Sequence, residues 1–318
     1  MSTPRRFSIV FNSASGHEDS DTAVALIEAR LREAGATFTL WRRDQQDSLD
    51  ACIDAATAEA RADGRVLVAV GGDGTLNAVA QAAWEADLPF AALPQGTFNY
   101  FAREHGISTE LAAALDALLV ADEMPVAVGM MDSRLFLVNA SVGLYPDLLE
   151  ERELAKRRFG RYRIVAFIAG LYTLLSHGRS LELNLTMGDG RTCAIRARTL
   201  FIGNNVLQLT ELGLPEAQAL SEGGGALAAI VLEPGSTWQL LKLIARGIAG
   251  SMRGAEGLRV FTFRQLEVDV RRGRKRLKVA RDGETGHLKT PLMFRSAPRP
   301  LRLLVAHAPP ATDSGNSA

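Results

Sequence analysis

Strand-like and helix-like patterns alternate along residues 1–120, and this alternation restricts the fold more than any other feature of the sequence. Residues 7–11 form a short apolar run typical of a buried strand, and residues 22–34 repeat apolar side chains at helical spacing. The same patterns recur as strands at 38–41, 65–70 and 90–93 and as helices at 49–62 and 76–86. Such alternation is typical of a parallel sheet covered by helices on both faces. The sequence therefore predicts an α/β domain over residues 1–129.

After residue 129 the pattern changes to short strand-like runs separated by turn residues. These runs lie at 135–141, 181–187, 194–203, 227–232, 258–263, 265–270 and 276–279. Two helix-like segments, 161–176 and 238–251, interrupt them. The pattern favours a mainly antiparallel β-sandwich domain over residues 130–308. Residues 309–318 are small and polar, and we expect them to form a disordered tail.

The composition is that of an ordinary globular protein. Of the 318 residues, 47% are hydrophobic and 23% charged, and the formal net charge is zero. A neutral chain has no overall field that would attract nucleic acid, so we expect no nucleic-acid partner. The longest apolar stretch, 164–175, is shorter than the roughly 20 residues that span a bilayer, and no signal-peptide pattern begins the chain. The predicted location is the cytoplasm.

The run Val70-Gly71-Gly72-Asp73-Gly74-Thr75-Leu76-Asn77 follows a predicted strand and opens a predicted helix. Free N–H groups and the positive end of a helix converge at such a position and favour an anion. Glycines allow the backbone to approach a phosphate closely. Asp73 would repel a phosphate on its own, so its presence indicates a metal ion or a hydroxyl proton beside the phosphate. The alternative is a tight structural turn, because Gly-Asp-Gly is common in turns.

Gly71-Gly72-Asp73-Gly74-Thr75 resembles the signature of the diacylglycerol kinase catalytic-domain family, which includes soluble bacterial lipid kinases and the sphingosine and ceramide kinases. Three more segments resemble motifs of that family, in the same order along the chain. Residues 12–16 are similar to its Asn-Pro-x-Ser-Gly loop. Residues 93–103 resemble its Gly-Thr-x-Asn-x-Phe-Ala-Arg signature, and residues 281–284 resemble its C-terminal Asp-Gly-Glu.

The resemblance implies a nucleotide-binding first domain, a lipid-binding second domain, and ATP and Mg²⁺ as cofactors. The implied nucleotide-binding residues are Asn12, Ser13, Ala14, Ser15, Gly16, Gly71, Gly72, Asp73, Gly74, Thr75, Leu76, Asn77 and Thr97. Glu284 would be the general base that takes the proton of the acceptor hydroxyl, while Asp282 and Asp73 would hold magnesium or orient that hydroxyl. Without the resemblance, Asp282-Gly283-Glu284 is interpreted as an exposed hairpin turn.

The sequence departs from the family at two places. Gly224 and Ala228 stand where the family often carries two aspartates that precede a late strand, so we expect no structural magnesium site there. Tyr100 occupies a position that is commonly Asp or His.

The leading hypothesis is a kinase that transfers the γ-phosphoryl group of ATP to a lipid hydroxyl, with diacylglycerol or a sphingoid base as the acceptor. Two alternatives stay open: a small-molecule kinase similar to NAD kinase, and an inactive regulator that binds nucleotide and lipid. Two basic segments, 157–163 and 271–278, are interpreted either as solvated charged faces or as contacts to an anionic membrane.

Overall fold

The structure of the protein is a computed structural model, and it describes residues 5–12, 20–96, 99–143, 180–221, 225–235, 239, 242, 246, 254–273 and 275–306. The chain divides into two compact units. The first comprises Met1–Val126 and Pro300–Ala318, and the second comprises Ala127–Arg299.

The first unit contains a six-stranded sheet with the order β2-β1-β3-β4-β18-β5. Its strands are β1 (Arg6–Phe11), β2 (Thr37–Arg42), β3 (Val66–Gly71), β4 (Phe90–Pro94), β5 (Asp122–Val126) and β18 (Leu301–Val305). All neighbouring pairs are parallel except β18 and β5, which are antiparallel. The predicted parallel sheet is confirmed.

Five helices accompany this sheet: α1 (Ser20–Glu33), α2 (Leu49–Asp63), α3 (Asp73–Ala86), α4 (Tyr100–Glu104) and α5 (Leu111–Val120). Apolar side chains of α1 and α5 share a core with Phe7, Ile9 and Phe11 of β1. Helices α2 and α3 contact each other and the sheet. Because successive β1 residues point to opposite faces and Phe7 to Phe11 are all buried, both faces of the sheet are covered.

The last strand differs from the sequence prediction. Residues 301–305 were expected in the second domain, but they form β18, which lies between β4 and β5 of the first sheet. Residues 122 to 126 pair with it along its whole length. A strand paired with a segment that is distant in the sequence leaves no local pattern of that pairing. The two units divide at 126/127 and at 299/300, whereas the sequence analysis expected a single boundary at 129/130 before the tail.

The described residues of the second unit contain two six-stranded sheets whose neighbouring strands are antiparallel. The first, in the order β10-β9-β14-β17-β6-β7, contains β6 (Gly129–Met131), β7 (Arg134–Phe136), β9 (Leu181–Met187), β10 (Thr192–Ala197), β14 (Gln265–Val270) and β17 (Leu292–Ser296). The second, in the order β13-β12-β11-β8-β15-β16, contains β8 (Asn139–Gly143), β11 (Thr199–Gly203), β12 (Leu227–Leu232), β13 (Leu258–Phe263), β15 (Arg276–Arg281) and β16 (Glu284–Lys289).

One hydrophobic cluster draws side chains from both sheets, including Phe136 and Val268 from the first and Leu200 and Val279 from the second. The predicted antiparallel sandwich is therefore confirmed. Two short helices, α6 (Val206–Glu211) and α7 (Glu216–Ser221), pack on the other face of the second sheet, against Ala228 and Ile230.

Two apolar runs that were predicted as single strands are each divided between the sheets. The run 135–141 supplies β7 to one sheet and β8 to the other, and the run 194–203 supplies β10 and β11 in the same way. The predicted helix 161–176 and the tail 309–318 lie outside the described residues, as does most of 238–251. No helix in the described part of the chain is long and apolar enough to cross a membrane.

Candidate active site

The turn from β3 into α3 forms the centre of the site in the first unit. β3 ends at Gly71, Gly72 is the N-cap residue, and α3 begins at Asp73. Gly72 has no side chain, so the N-cap position supplies no acceptor for the N–H groups in the first turn of α3. Together with the positive end of the helix, they form a site suited to an anion.

Asp73 lies half-buried in the first turn of α3. Burial raises the pKa of its carboxyl group above the ordinary value, against the opposing effect of hydrogen bonds from the backbone N–H of Asn99 and from its own N–H. A carboxylate whose charge is disfavoured by burial gains from a nearby cation. Asp73 is therefore suited to a site that a cation enters together with the phosphates.

Asn12 and Thr75 connect the end of β1 to the first turn of α3. The Asn12 side-chain Nδ2 donates a 2.8 Å hydrogen bond to Thr75 Oγ1, and the Asn12 backbone N–H donates to the Val70 carbonyl at 3.0 Å. Thr75 and Asn77 are both buried. Two of the predicted nucleotide-binding segments are thus held together by a direct contact.

A third segment reaches the same turn after β4, and the sequence prediction named only Thr97 from it. The Asn99 Oδ1 accepts from the Gly96 N–H at 3.1 Å, and its Nδ2 donates to the Gly96 carbonyl at 2.9 Å. A Cβ on Gly96 would lie 3.3 Å from the Gly72 Cα and 3.5 Å from the Asp73 nitrogen. Asn99 adopts a φ of 48°, which asparagine tolerates better than most residues. The Gly-x-x-Asn spacing of Gly96 and Asn99 is the sequence signal that could have identified Asn99 as part of the site.

Several predicted binding residues fall outside the described part of the chain. These are Ser13, Ala14, Ser15, Gly16, Thr97 and Gly224. Ala228, the other position considered for a structural magnesium, is fully buried in β12, with its methyl group in the cluster beneath α6 and α7. It offers no side-chain ligand.

Asp282 and Glu284 belong to the second unit, where a hairpin joins β15 to β16. Arg281 and Glu284 stand opposite each other, and Asp282 and Gly283 form the two-residue loop between them. Both loop residues have positive φ, 44° and 90°, as a type I′ turn requires. The Asp-Gly pair therefore forms the hairpin turn that the sequence offered as an alternative.

The carboxylate of Asp282 binds three consecutive backbone N–H groups. Leu137 N–H donates to Oδ2 at 2.7 Å, while those of Val138 and Asn139 donate to Oδ1 at 2.9 Å each. Residues 137–139 are the segment where the chain crosses from β7 in one sheet to β8 in the other. Burial raises the pKa of Asp282 to about 6 although these hydrogen bonds oppose the shift. In this geometry, Asp282 fixes the hairpin to the crossing segment.

Glu284 is the first residue of β16 and its side chain is 62% exposed. Its Oε2 lies 3.9 Å from Nη2 of Arg281, across the hairpin. An exposed carboxylate is accessible to a substrate and can accept a proton from it. Those are two properties that a general base needs.

Residues 6–131 match the family described as the diacylglycerol kinase catalytic domain. The first unit is similar to that family over most of its length. This confirms the resemblance inferred from the motifs, and the matched segment contains Asn12, the Gly71–Asn77 turn and Asn99.

Curated relatives carry related names. A "Probable lipid kinase YegS-like" protein of Pseudomonas aeruginosa (strain UCBPP-PA14) is 36% identical over 137 residues, covering 42% of this chain and 43% of that protein. This chain thus spans less than half the length of that relative. A "Diacylglycerol kinase" of Staphylococcus aureus (strain MRSA252) is 27% identical over 285 residues, covering 85% of this chain and 87% of that protein.

The fold of the whole chain also has solved counterparts. A putative diacylglycerol kinase from Bacillus anthracis str. Sterne superposes with a TM-score of 0.71 at 18% identity, covering 95% of this chain and 96% of that one. A second structure, titled a putative diacylglycerol kinase from the same organism, superposes with a TM-score of 0.70 at 16% identity. It covers 92% of this chain and 94% of that one. At this level of identity, the superpositions show a shared fold.

Proposed function

We propose that the protein transfers the γ-phosphoryl group of ATP to the hydroxyl group of a lipid, with diacylglycerol or a sphingoid base as the acceptor class. The observation that carries the proposal is the half-buried Asp73 in the first turn of α3, beside amides suited to phosphate. It is supported by the family match of the first unit and by the names of its relatives.

The proposed nucleotide site is built from the amides of the Gly71–Asn77 turn. Phosphoryl transfer depends mainly on positioning and on stabilising the charge of the phosphates. The bond between Asn12 and Thr75 and the turn closed by Asn99 hold the backbone in place before a ligand binds. Ser13, Ala14, Ser15, Gly16 and Thr97 are proposed to complete this site.

Asp73 fits a magnesium ion that arrives with the nucleotide. Within the described residues, no three His, Cys, Asp or Glu side chains come together to form a protein-only metal site. Magnesium in kinases is usually held by one or two carboxylates together with substrate phosphates. The ion would neutralise the negative charge of the phosphates, and Asp73 is the carboxylate that we propose for it.

Glu284 is the proposed general base. It takes the proton of the acceptor hydroxyl while that oxygen forms a bond to the γ-phosphorus and the bond from the γ-phosphorus to ADP breaks. For Asp282 we propose a positioning role instead of magnesium ligation, because both of its oxygens already accept backbone N–H groups. Asp282 thereby fixes the turn that presents Glu284.

The direct test is a labelled-ATP assay against a mixed lipid extract, with the product identified by mass. We expect a phosphorylated lipid, and we expect Asp73→Asn to lower turnover at least 100-fold because a charged group at the phosphates is lost. Asp50→Asn is the matched control, since Asp50 also lies in the first turn of a helix, α2. It should retain activity.

Two outcomes would contradict the proposal. Phosphorylation of NAD without any lipid product would indicate a small-molecule kinase. ATP binding by calorimetry without a product from either acceptor would indicate a regulator that has lost catalysis.

A further inference from the structure

The hairpin of β15 and β16 carries a row of basic side chains on one face. Arg276 stands opposite Lys289, and Lys278 stands opposite His287. Arg276, His287 and Lys289 are exposed, and Lys278 is half-buried. We call these four residues the basic face.

The opposite face of the same hairpin belongs to the sandwich core. Leu277 and Val279 lie in the hydrophobic cluster of the second unit, and Leu288 packs against it. Because successive residues of a strand point to opposite faces, the basic face points away from that core. Its charges are therefore presented at the surface of the unit.

The arrangement of charges opposes the stability of the hairpin. Like charges directly opposite each other on paired strands repel, and Arg276 and Lys289 form such a pair. Within the described hairpin, 275–289, the acidic residues lie elsewhere. Asp282 lies in the turn and binds backbone amides, and Glu284 stands opposite Arg281 in the other row.

The neighbouring turn extends the positive charge. Eight arginines and lysines and two acidic residues lie between Arg271 and Lys289, although the whole chain is neutral. Some of these cations have acidic neighbours, including Arg272 at 3.9 Å from Glu182, Lys275 at 3.2 Å from Asp269 and Arg281 at 3.9 Å from Glu284. Exposed ion pairs of this kind are weak, so most of the positive electrostatic potential around the turn remains.

Protection of a sheet edge explains only part of this pattern. β16 pairs with β15 alone among the described strands, and lysines on an edge strand prevent it from pairing with other chains. That explains Lys289, which lies on the edge strand. It does not explain Arg276 and Lys278, which lie on the inner strand of the hairpin, or Arg271 and Arg272 in the preceding turn.

We propose that the basic face docks the protein on a membrane surface that contains anionic phospholipid. Charge complementarity carries this assignment, since basic residues close to an anionic leaflet each strengthen binding. Single-stranded nucleic acid is a poorer match because the four residues include no Phe, Tyr or Trp on which bases would stack. The choice of a membrane also rests on the proposed lipid acceptor, which resides in a bilayer.

Vesicle sedimentation without nucleotide tests the proposal. The protein should bind vesicles of phosphatidylcholine with about one third phosphatidylglycerol, and binding should weaken as salt is added. The double variant R276Q/K289Q should bind roughly 25-fold more weakly, about five-fold for each charge removed. Binding to pure phosphatidylcholine should be weak for both proteins.

The matched control is R32Q/R61Q, which removes the same net charge from two exposed residues of the first unit. It should bind the anionic vesicles within about two-fold of the unmodified protein, because neither residue belongs to the basic face. Equal losses of vesicle binding in the two variants would overturn the proposal. Failure of the unmodified protein to bind anionic vesicles would also overturn it. Equally tight binding to a DNA oligonucleotide, lost in R276Q/K289Q, would also overturn it.

Turnover in detergent micelles separates this inference from the proposed function. R276Q/K289Q should phosphorylate a short-chain diacylglycerol in neutral micelles at the normal rate, because no membrane charge is involved. A normal rate together with weakened vesicle binding supports docking through the basic face. Vesicle binding that depends on the basic face, without phosphorylation of any lipid, would support the docking and contradict the proposed function alone.

Discussion

The side-chain amide of Asn12 donates a hydrogen bond of 2.8 Å to the hydroxyl oxygen of Thr75, across 63 positions of sequence. The bond joins the residue that follows β1 to the first turn of α3. Both segments are proposed to hold the same nucleotide. Because folding already connects the two segments, nucleotide binding requires less additional ordering of their backbone.

Replacing Thr75 with valine tests this connection. Thr75→Val preserves the shape of the side chain but removes the acceptor of the Asn12 hydrogen bond. We expect the KM for ATP to rise about tenfold, which corresponds to roughly 1.4 kcal/mol, with a smaller change in kcat. Thr75→Ser retains the hydroxyl and should remain close to normal in steady-state kinetics.

A double-mutant cycle with Asn12→Ala isolates the contact. If the two side chains act through one bond, the effect of the double variant should be smaller than the sum of the single effects. Strictly additive effects on the KM for ATP would show that the contact is not used in binding.

Glu284→Gln tests the proposed general base. The amide has nearly the same shape but cannot accept the hydroxyl proton, so kcat should fall about 10²- to 10⁴-fold, while ATP affinity by calorimetry should change little. Glu256→Gln is the control, because Glu256 is an exposed glutamate elsewhere in the second unit. Unchanged turnover in Glu284→Gln would remove Glu284 from the mechanism.

Asp282→Asn tests the positioning role through stability. Asparagine accepts the positive φ of the turn but replaces one acceptor oxygen with an N–H donor, so at least one backbone N–H of 137–139 loses its partner. The free energy of unfolding should fall by about 2–4 kcal/mol in urea denaturation. Asp132→Asn is the matched control: Asp132 also has a positive φ, of 55°, and its Oδ1 accepts the backbone N–H of Met293 at 2.9 Å. The free energy of unfolding should fall less in Asp132→Asn than in Asp282→Asn.

The same carboxyl group predicts a dependence of stability on pH. Burial raises the pKa of Asp282 from 3.8 to about 6, so the folded state binds the proton more readily than the unfolded state does. The stabilisation that comes from this preferential protonation is therefore greatest below pH 3.8 and is lost as the pH rises through about 6. The hydrogen bonds from residues 137–139 to the carboxyl group are a separate contribution. A carboxyl NMR titration of Asp282 should show a midpoint near 6, and a midpoint at or below the ordinary value would contradict the prediction.

Gly96→Ala tests how closely the backbone approaches the Gly71–Asn77 turn. The added Cβ would meet Asn99 Oδ1 at 2.8 Å and Gly72 Cα at 3.3 Å. We expect a loss of about 1–3 kcal/mol in stability and a larger loss of activity, because Asn99 also donates to Asp73. Gly286→Ala, where an added Cβ meets nothing within 4 Å, should leave the thermal midpoint nearly unchanged.

The sequence predicted those parts of the fold that depend on local periodicity. β3, the Gly71–Asn77 turn and α3 were predictable because a buried strand, a glycine-rich turn and a helix each leave a pattern within a few residues. Division of the run 135–141 between two sheets was not, since the apolar residues 135–138 continue without interruption past the point where β7 ends. Only the three-dimensional pairing shows to which sheet each half belongs.

Side-chain partners were the least predictable part of the site. Asp282 was expected to hold magnesium or to orient the acceptor hydroxyl, because a motif gives the residue type but not the groups around it. Its acceptors are occupied by amides about 145 positions earlier in the chain, and no pattern in the sequence links the two segments. Asn99 differs in this respect: it was left out of the predicted site although it lies only three residues from Gly96, a spacing visible in the sequence.

The position of β18 has a consequence for how the protein is made. Leu301–Val305 fills the gap between β4 and β5, so the first sheet cannot close until residues 301–305 have left the ribosome. Until then the nascent chain exposes an unpaired, apolar edge at β4, which is a template for misassociation. A truncated fragment that stops at residue 131, where the family match ends, should for that reason be prone to aggregate instead of forming an autonomous kinase domain.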